Sequence, residues 1–273
     1  MSEMKESKNQ SSLHAFVICA YGESPFLDNC VKSLLRQSVR SEIVIATSTP
    51  NELICEMARK YQLRLCINNG EKGLAGDWNF ALAQSDAQLI TLAHQDDIYM
   101  PQYTESILSA FKISKRPIIL FTDYYELRSE ETVTINTLLK VKRALLYPLR
   151  CRRLWKSRFV RRRILSLGSP ICCPSVTLVR SEITQPLFKN NMRSNIDWQA
   201  WEELSKQKGS FVYVPRALMK HRIHEGSTTS ELLAQSARRQ EDLFMYCKFW
   251  PKPIAEIIEF FYCRNEKSNR LDE

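Results

Sequence analysis

From residue 13 onward, short apolar runs alternate with stretches of helical period. His14–Ala20 (HAFVICA) is apolar throughout and reads as a buried strand. Pro25 then opens a helix that places Phe26, Leu27, Cys30, Val31, Leu34 and Leu35 on one face. Glu42–Thr47 is a second strand, Asn51 caps a helix over Glu52–Tyr61, and Arg64–Ile67 is a third strand. A glycine-bearing loop leads to a helix over 77–84. A fourth strand over 89–92 ends at His94-Gln95-Asp96-Asp97, Pro101 starts another helix, and Pro117 precedes a strand over 118–122. The second half is less regular: strands over 175–179, 211–214 and 218–222, and helices over 195–208, 229–246 and 254–262.

Strand–helix alternation of this kind calls for an α/β fold, a mostly parallel central sheet flanked by helices. Such sheets bind ligands at the carboxyl ends of their strands. Tyr21-Gly22-Glu23, Thr47-Ser48-Thr49 and Gln95-Asp96-Asp97 all follow strands, so they are expected to converge on one crevice.

Composition narrows the classes. No apolar run approaches the ~20 residues that span a bilayer, and the polar start, residues 1–12, lacks the apolar centre of a secretory signal. The expectation is a cytoplasmic protein. Nine cysteines, scattered and never spaced as CxxC, suit small core residues in a reducing compartment rather than a zinc site or disulfide framework. The net charge of +9 is local: residues 138–168 carry eleven Lys and Arg with no Asp or Glu, so the remainder is slightly acidic.

Asp96 and Asp97 pose an electrostatic problem, because adjacent like charges raise each other's pKa unless a cation or donor compensates. A divalent ion, Mg²⁺ or Mn²⁺, is one solution and would also neutralise a diphosphate. A turn or helix cap before Pro101 is the alternative. His221 and His224 fall in a strand entering a loop and lack the further ligands a zinc site needs.

The ordered set of Val17 to Ser24, Ser33-Leu34-Leu35-Arg36-Gln37, Gly73 to Asn79, His94-Gln95-Asp96-Asp97, Asp197-Trp198 and His221-Arg222-Ile223-His224 resembles the family 2 glycosyltransferases over residues 13–230. The resemblance implies a Rossmann-like GT-A fold, a basic helical insertion over 138–168 and a C-terminal helical extension over 231–273. It further implies a metal-dependent, inverting transfer of a sugar from a nucleotide-diphosphate donor, expected to be a UDP-sugar, to a glycan or lipid-linked acceptor. By position, Ala20, Tyr21, Glu23, Thr47, Gly73, Asn79 and Asp96 would border the nucleotide. Asp97 and His224 would serve the metal, and Asp197 would be the catalytic base. Asp197 also completes the spacing of a capping box begun by Ser194. Two positions depart from the family pattern. Thr47-Ser48-Thr49 stands where an Asp usually reads the base, and Trp78, beside Asp77, stands where an arginine often precedes the loop asparagine. Trp78 either stacks on a ligand or packs on the sheet, and Lys72 and Arg222 are candidate phosphate partners.

The cations of 138–168 interleave with leucines and aromatics, a composition that suits an anionic membrane surface. A solvated loop is the bland alternative, and nucleic acid is less fitting for an enzyme of this kind. Nucleotidyl transfer is the competing enzyme reading, but the Tyr21 to Pro25 turn lacks the glycine-rich basic loop it usually needs. A noncatalytic basic α/β protein is the remaining class.

Overall fold

The computed structural model describes residues 13–224 and 235–260. The start of the helix expected over 229–246 and the end of that over 254–262 lie outside them. Leu13 to Ile113 folds as β1 (His14–Ala20), α1 (Leu27–Leu35), β2 (Glu42–Thr47), α2 (Glu52–Tyr61), β3 (Arg64–Ile67), α3 (Leu74–Leu82), β4 (Leu89–His94), β5 (Ile98–Tyr99) and α4 (Tyr103–Ile113). There follow β6 (Pro117–Arg128), β7 (Glu131–Val133), α5 (Thr137–Leu146), α6 (Arg158–Leu165), β8 (Val176–Val179), α7 (Ile196–Ser205), β9 (Ser210–Ile223), α8 (Gln235–Cys247) and a last helix, α9, over 252–260. Asn51 caps α2 as its position predicts, its side chain accepting from Ile54 N–H.

The nine-stranded sheet has the order β3-β2-β1-β4-β8-β6-β9-β5, with β7 beside β6. β1, β2, β3, β4, β6 and β9 all point one way, and β5, β7 and β8 oppose them. Their carboxyl ends share one edge. The two faces of β1 are both covered, as its unbroken apolar run requires. Phe16 meets Tyr103 of α4 on one face, while α3 packs across β1, β2 and β4.

Two strands run longer than the sequence suggests. β6 continues to Arg128, and the strands expected over 211–214 and 218–222 are one strand, β9. Pro215 reads as a break because it cannot donate to a ladder. In the fold Thr122 pairs Val214 and Asp123 pairs Ala217, so Pro215 and Arg216 sit in a bulge where no bond is required.

A buried polar chain ties the middle of the sheet to α4. His14, fully buried, contacts Ser41 Oγ through Nδ1 (2.8 Å) and Thr91 Oγ1 through Nε2 (2.9 Å). Thr91 contacts Thr177 on β8 (2.7 Å), and Thr177 contacts the Tyr103 hydroxyl (3.1 Å). Burial lowers the His14 pKa to about 3. Between that value and its ordinary 6.5 the unfolded chain holds a proton that the folded chain does not, so stability falls as pH drops through this window. The slope from this group is at most about 1.4 kcal/mol per pH unit. Urea midpoints measured from pH 7 to pH 4 are expected to fall more steeply for the wild-type protein than for His14→Gln. Parallel curves would remove His14 from the cause.

Candidate functional site

The site is assembled at the carboxyl end of β4. The chain turns after His94, with Asp97 N–H donating to His94 O (3.2 Å), and returns as β5, which pairs with Met219 and Lys220 of β9. That pairing lays the end of β9 alongside the two acids. Asp97 is fully buried, and its Oδ1 accepts from Arg222 N–H (2.9 Å) and contacts His221 Nδ1 (3.0 Å). Asp96 is nearer the surface and its Oδ2 lies 3.1 Å from His224 Nε2. The buried Arg222 guanidinium reaches back through Nε to Asp96 O (3.0 Å), stacks on the Phe26 ring (4.1 Å) and pairs with Glu130 at the β6–β7 turn.

Three buried side-chain atoms here have no hydrogen-bond partner within the protein: Asp97 Oδ2, His94 Nε2 and Arg222 Nη2. His94, Asp96 and Asp97 offer ligand atoms within 4.8 Å of one another. Burial lowers the His94 pKa, so this imidazole is neutral and keeps a lone pair. His221 behaves oppositely: burial works against its charge, but Asp97 and Asp96 outweigh it and raise the pKa. The cluster therefore combines carboxylate oxygens and a neutral nitrogen with cationic support behind them, a donor set that fits a divalent cation. His94 is the cluster member that the sequence reading passed over. The strand was expected to stop at Leu92, whereas it runs on to His94.

At the β1–β2 end, the Gln95 side chain clamps the Tyr21 backbone, donating to Tyr21 O (2.8 Å) and accepting from Tyr21 N–H (3.0 Å). This leaves the Tyr21 ring exposed beside Glu23, also exposed, while Ala20 is buried at the strand end. Thr47 is buried and its hydroxyl accepts from Thr49 N–H (3.0 Å), so it supports the loop. Gly73 has φ +96°, a conformation that L side chains rarely adopt, with open space around it. Asn79 is not brought to this edge by its side chain, which binds Leu187 N–H, Phe188 N–H and Phe188 O. Trp78 packs, stacking on His94 at 5.3 Å and meeting Phe188 edge-on at 4.9 Å. Asp77 brings a carboxylate to the loops after β2 and β3, where it accepts from Ser48 Oγ and Asn68 Nδ2, each at 2.8 Å. Lys72 is exposed.

Asp197 approaches from the other side, in the first turn of α7. No capping box forms. The N-cap is Asn195, without a side-chain bond, and Ser194 Oγ donates instead to Glu241 (2.6 Å). Asp197 Oδ1 accepts from Trp198 N–H (2.7 Å). Burial raises the Asp197 pKa to about 6, partly offset by that amide and by the charges of Lys142 and Arg238. Lys142 comes from α5, where it donates to the Tyr124 hydroxyl (2.9 Å). The thiols of Cys172 and Cys173 are pushed well up, first by burial and then by the charges of Asp97 and Asp197. All cysteines among the described residues are free.

Residues 15–188 match the sequence profile of glycosyl transferase family 2. Among solved structures, residues 1–349 of TarS from S. aureus superpose with a TM-score of 0.61 at 11% identity, covering 91% of this chain and 70% of that one. The same protein in complex with UDP-GlcNAc gives 0.62 at 12% identity over 90% and 70%. The mannosyltransferase PcManGT from Pyrobaculum calidifontis, in complex with GDP-Man and Mn²⁺, gives 0.60 at 12% over 90% and 67%. The likeness is one of fold, the GT-A fold of glycosyltransferases. No curated protein matches the chain.

Because Trp78 stacks on His94, Mn²⁺ held by His94, Asp96 and Asp97 is expected to quench part of the tryptophan emission. Titration should show saturable quenching that is absent in Asp97→Asn and reduced in Trp78→Phe. An unquenched wild-type protein would place no such ion here.

Proposed function

The chain belongs to glycosyl transferase family 2 and is a glycosyltransferase, and we propose from that premise an inverting transfer from a nucleotide-diphosphate sugar to a hydroxyl of a glycan or lipid-linked acceptor. The observation that carries this reading is the cluster of His94, Asp96 and Asp97 at the end of β4, together with a second acid, Asp197, of unlike setting. Asp97 is buried and accepts from the backbone of β9, and burial raises the Asp197 pKa to about 6. Nucleotide-sugar donors are supported by the neighbours solved in complex with UDP-GlcNAc and GDP-Man. A UDP-sugar is the donor we propose here. The transferase domain is taken as residues 13–230, with 231–273 as its helical extension.

The geometry supports the following division of labour. Tyr21 and the loops after β1 and β2 border the nucleotide, with Gln95 fixing the Tyr21 backbone so that its ring is presented rather than buried. His94, Asp96 and Asp97, backed by His224, would hold Mn²⁺ or Mg²⁺, and the nitrogen ligand favours Mn²⁺. When bound, such an ion would neutralise charge on the departing diphosphate. Arg222 keeps the Asp96 backbone in place from beneath. Asp197, as carboxylate, takes the proton of the attacking hydroxyl; a base with a pKa near the working pH combines ionisation with proton affinity.

The basic segment supports peripheral attachment to an anionic membrane from the cytoplasmic side. Lys140, Arg150, Arg152, Arg153, Lys156 and Arg158 are exposed, alongside Tyr147 at 66% and Phe159 at 73% exposure. No helix among the described residues is long and apolar enough to cross a membrane.

Diphosphate release across a panel of nucleotide sugars with Mn²⁺ tests the activity; no release from any donor would end the reading. Asp197→Asn is expected to lower turnover by about 10²-fold or more while leaving UDP binding intact. In the wild-type enzyme turnover should fall about tenfold per pH unit below pH 6, because only the ionised Asp197 accepts a proton. A flat profile from pH 7 to pH 5 would exclude Asp197 as the base. Flotation with anionic vesicles at low salt should carry the protein upward, and an Arg152→Glu, Arg153→Glu, Lys156→Glu variant should stay behind. Failure of the wild-type protein to float would end the membrane assignment.

A further inference from the structure

We propose that α8, in the C-terminal extension, is a working part of the transfer site, with Glu241 as a positioning residue for Asp197. The inference rests on the reading of Asp197 as the base. It concerns residues beyond the 15–188 stretch that matches the family.

The turn entering α7 has to be fixed from outside, because Asn195 supplies no side-chain cap. Glu241 supplies the acceptor. Its Oε1 accepts from Arg193 N–H (2.7 Å), and its Oε2 accepts from Ser194 N–H (2.9 Å), Ser194 Oγ (2.6 Å) and Asn195 N–H (3.3 Å). Asp242 adds a bond from Asn195 Nδ2 (2.7 Å). One carboxylate thus gathers the consecutive amides of residues 193–195, just before Asp197. A negative charge at this place also complements the N-terminal end of the α7 dipole.

These bonds are more than docking requires. α8 and the turn after it are already seated on α7 through Trp198, whose ring meets Tyr246 edge-on at 5.2 Å and stacks with Phe249 at 6.4 Å. Arg162 adds a bond to Lys248 O (2.8 Å). What Glu241 fixes in addition is the direction from which Asp197 enters the crevice. Arg238, one helical turn earlier on α8, adds a positive charge that bears on Asp197. The extension therefore contributes both a clamp on the backbone and a cation toward the carboxylate.

The test uses the full chain and the donor that the panel selects. Glu241→Ala is expected to lower kcat about tenfold to a hundredfold, as small misplacement of a reacting group does. UDP affinity by calorimetry should stay unchanged. The acid limb should move above pH 6, because loosening the turn weakens the Trp198 amide that lowers the Asp197 pKa. Glu241→Gln, which keeps an acceptor oxygen, should recover much of the rate. An unmoved limb, or a kcat unchanged per folded molecule, overturns the proposal. Should Glu241→Ala fail to fold, Arg238→Gln carries the test: its limb must also move upward, and an unmoved limb overturns the proposal equally. Asp197→Asn is measured alongside. If it retains turnover, the base assignment fails; if it is inactive while Glu241→Ala and its pH limb are normal, only the role of α8 fails.

Discussion

Two carboxylates on consecutive residues, one of them wholly buried, repel each other in a medium that screens poorly. Breaking such an arrangement's support leaves an uncompensated charge. In this fold the support comes from the far end of the chain. Asp97 Oδ1 is held by the Arg222 amide and His221, Asp96 by His224, and the backbone between them by the Arg222 guanidinium. Everything that delivers β9 to β5 therefore bears on the site. The bulge at Pro215 and Arg216 is followed by a further shift, in which Asp123 pairs Ala217 but Tyr125 pairs Lys220. Two residues on β6 match three on β9. Because side chains alternate across a strand, that odd residue decides which face His221 and Arg222 present. Register along the β6–β9 ladder is thus a condition for the acid pair to exist at all.

The same dependence explains the basic segment. As a string of letters it looks like one uniform positive block, but it divides once folded. Arg161 is fully buried, donating to Gly209 O (2.9 Å) and Gln207 O (2.7 Å) while lying over Phe211. Arg162 pairs with the buried Glu202 (2.7 Å), and Arg163 lies 4.6 Å from the Trp250 ring centroid. These arginines join α6 to α7, β9 and the turn after α8. They cannot serve a membrane without dismantling the structure, since removing a partner from the buried Glu202 would strand its charge. Only the exposed cations of the segment remain to meet a surface, and they stand with Tyr147 and Phe159 on the outside.

How far the sequence could be read follows the range of the forces involved. β1, β2, α2 and β3 are predicted to the residue because apolar period and the Asn51 cap are local signals. The acid pair and Asp197 were legible from their place after a strand and from the family pattern. His94 was missed because a polar residue at the end of an apolar run reads as loop, when its neighbour Trp78 in fact shields it. β9 was split because a proline marks a local break, and only its partner strand shows that the break is a bulge. Lys142, Arg238 and Glu241 gave no signal at all. Each is an ordinary helical charge until tertiary contact sets it beside α7.

The two halves of the crevice are consequently held by different means. The acid pair sits on strands whose ladders cross the whole sheet, so its geometry is shared with the core and resists local change. Asp197 rides on a helix whose entry is fixed by side chains from α8. Side-chain contacts yield to single substitutions more readily than a backbone ladder does. The acid pair is thereby constrained by the fold itself, whereas the setting of Asp197 depends on side chains such as the carboxylate of Glu241. A scaffold divided in this way can change the surroundings of Asp197 while the acid pair is kept, because changes there leave the β4–β5–β9 pairing untouched.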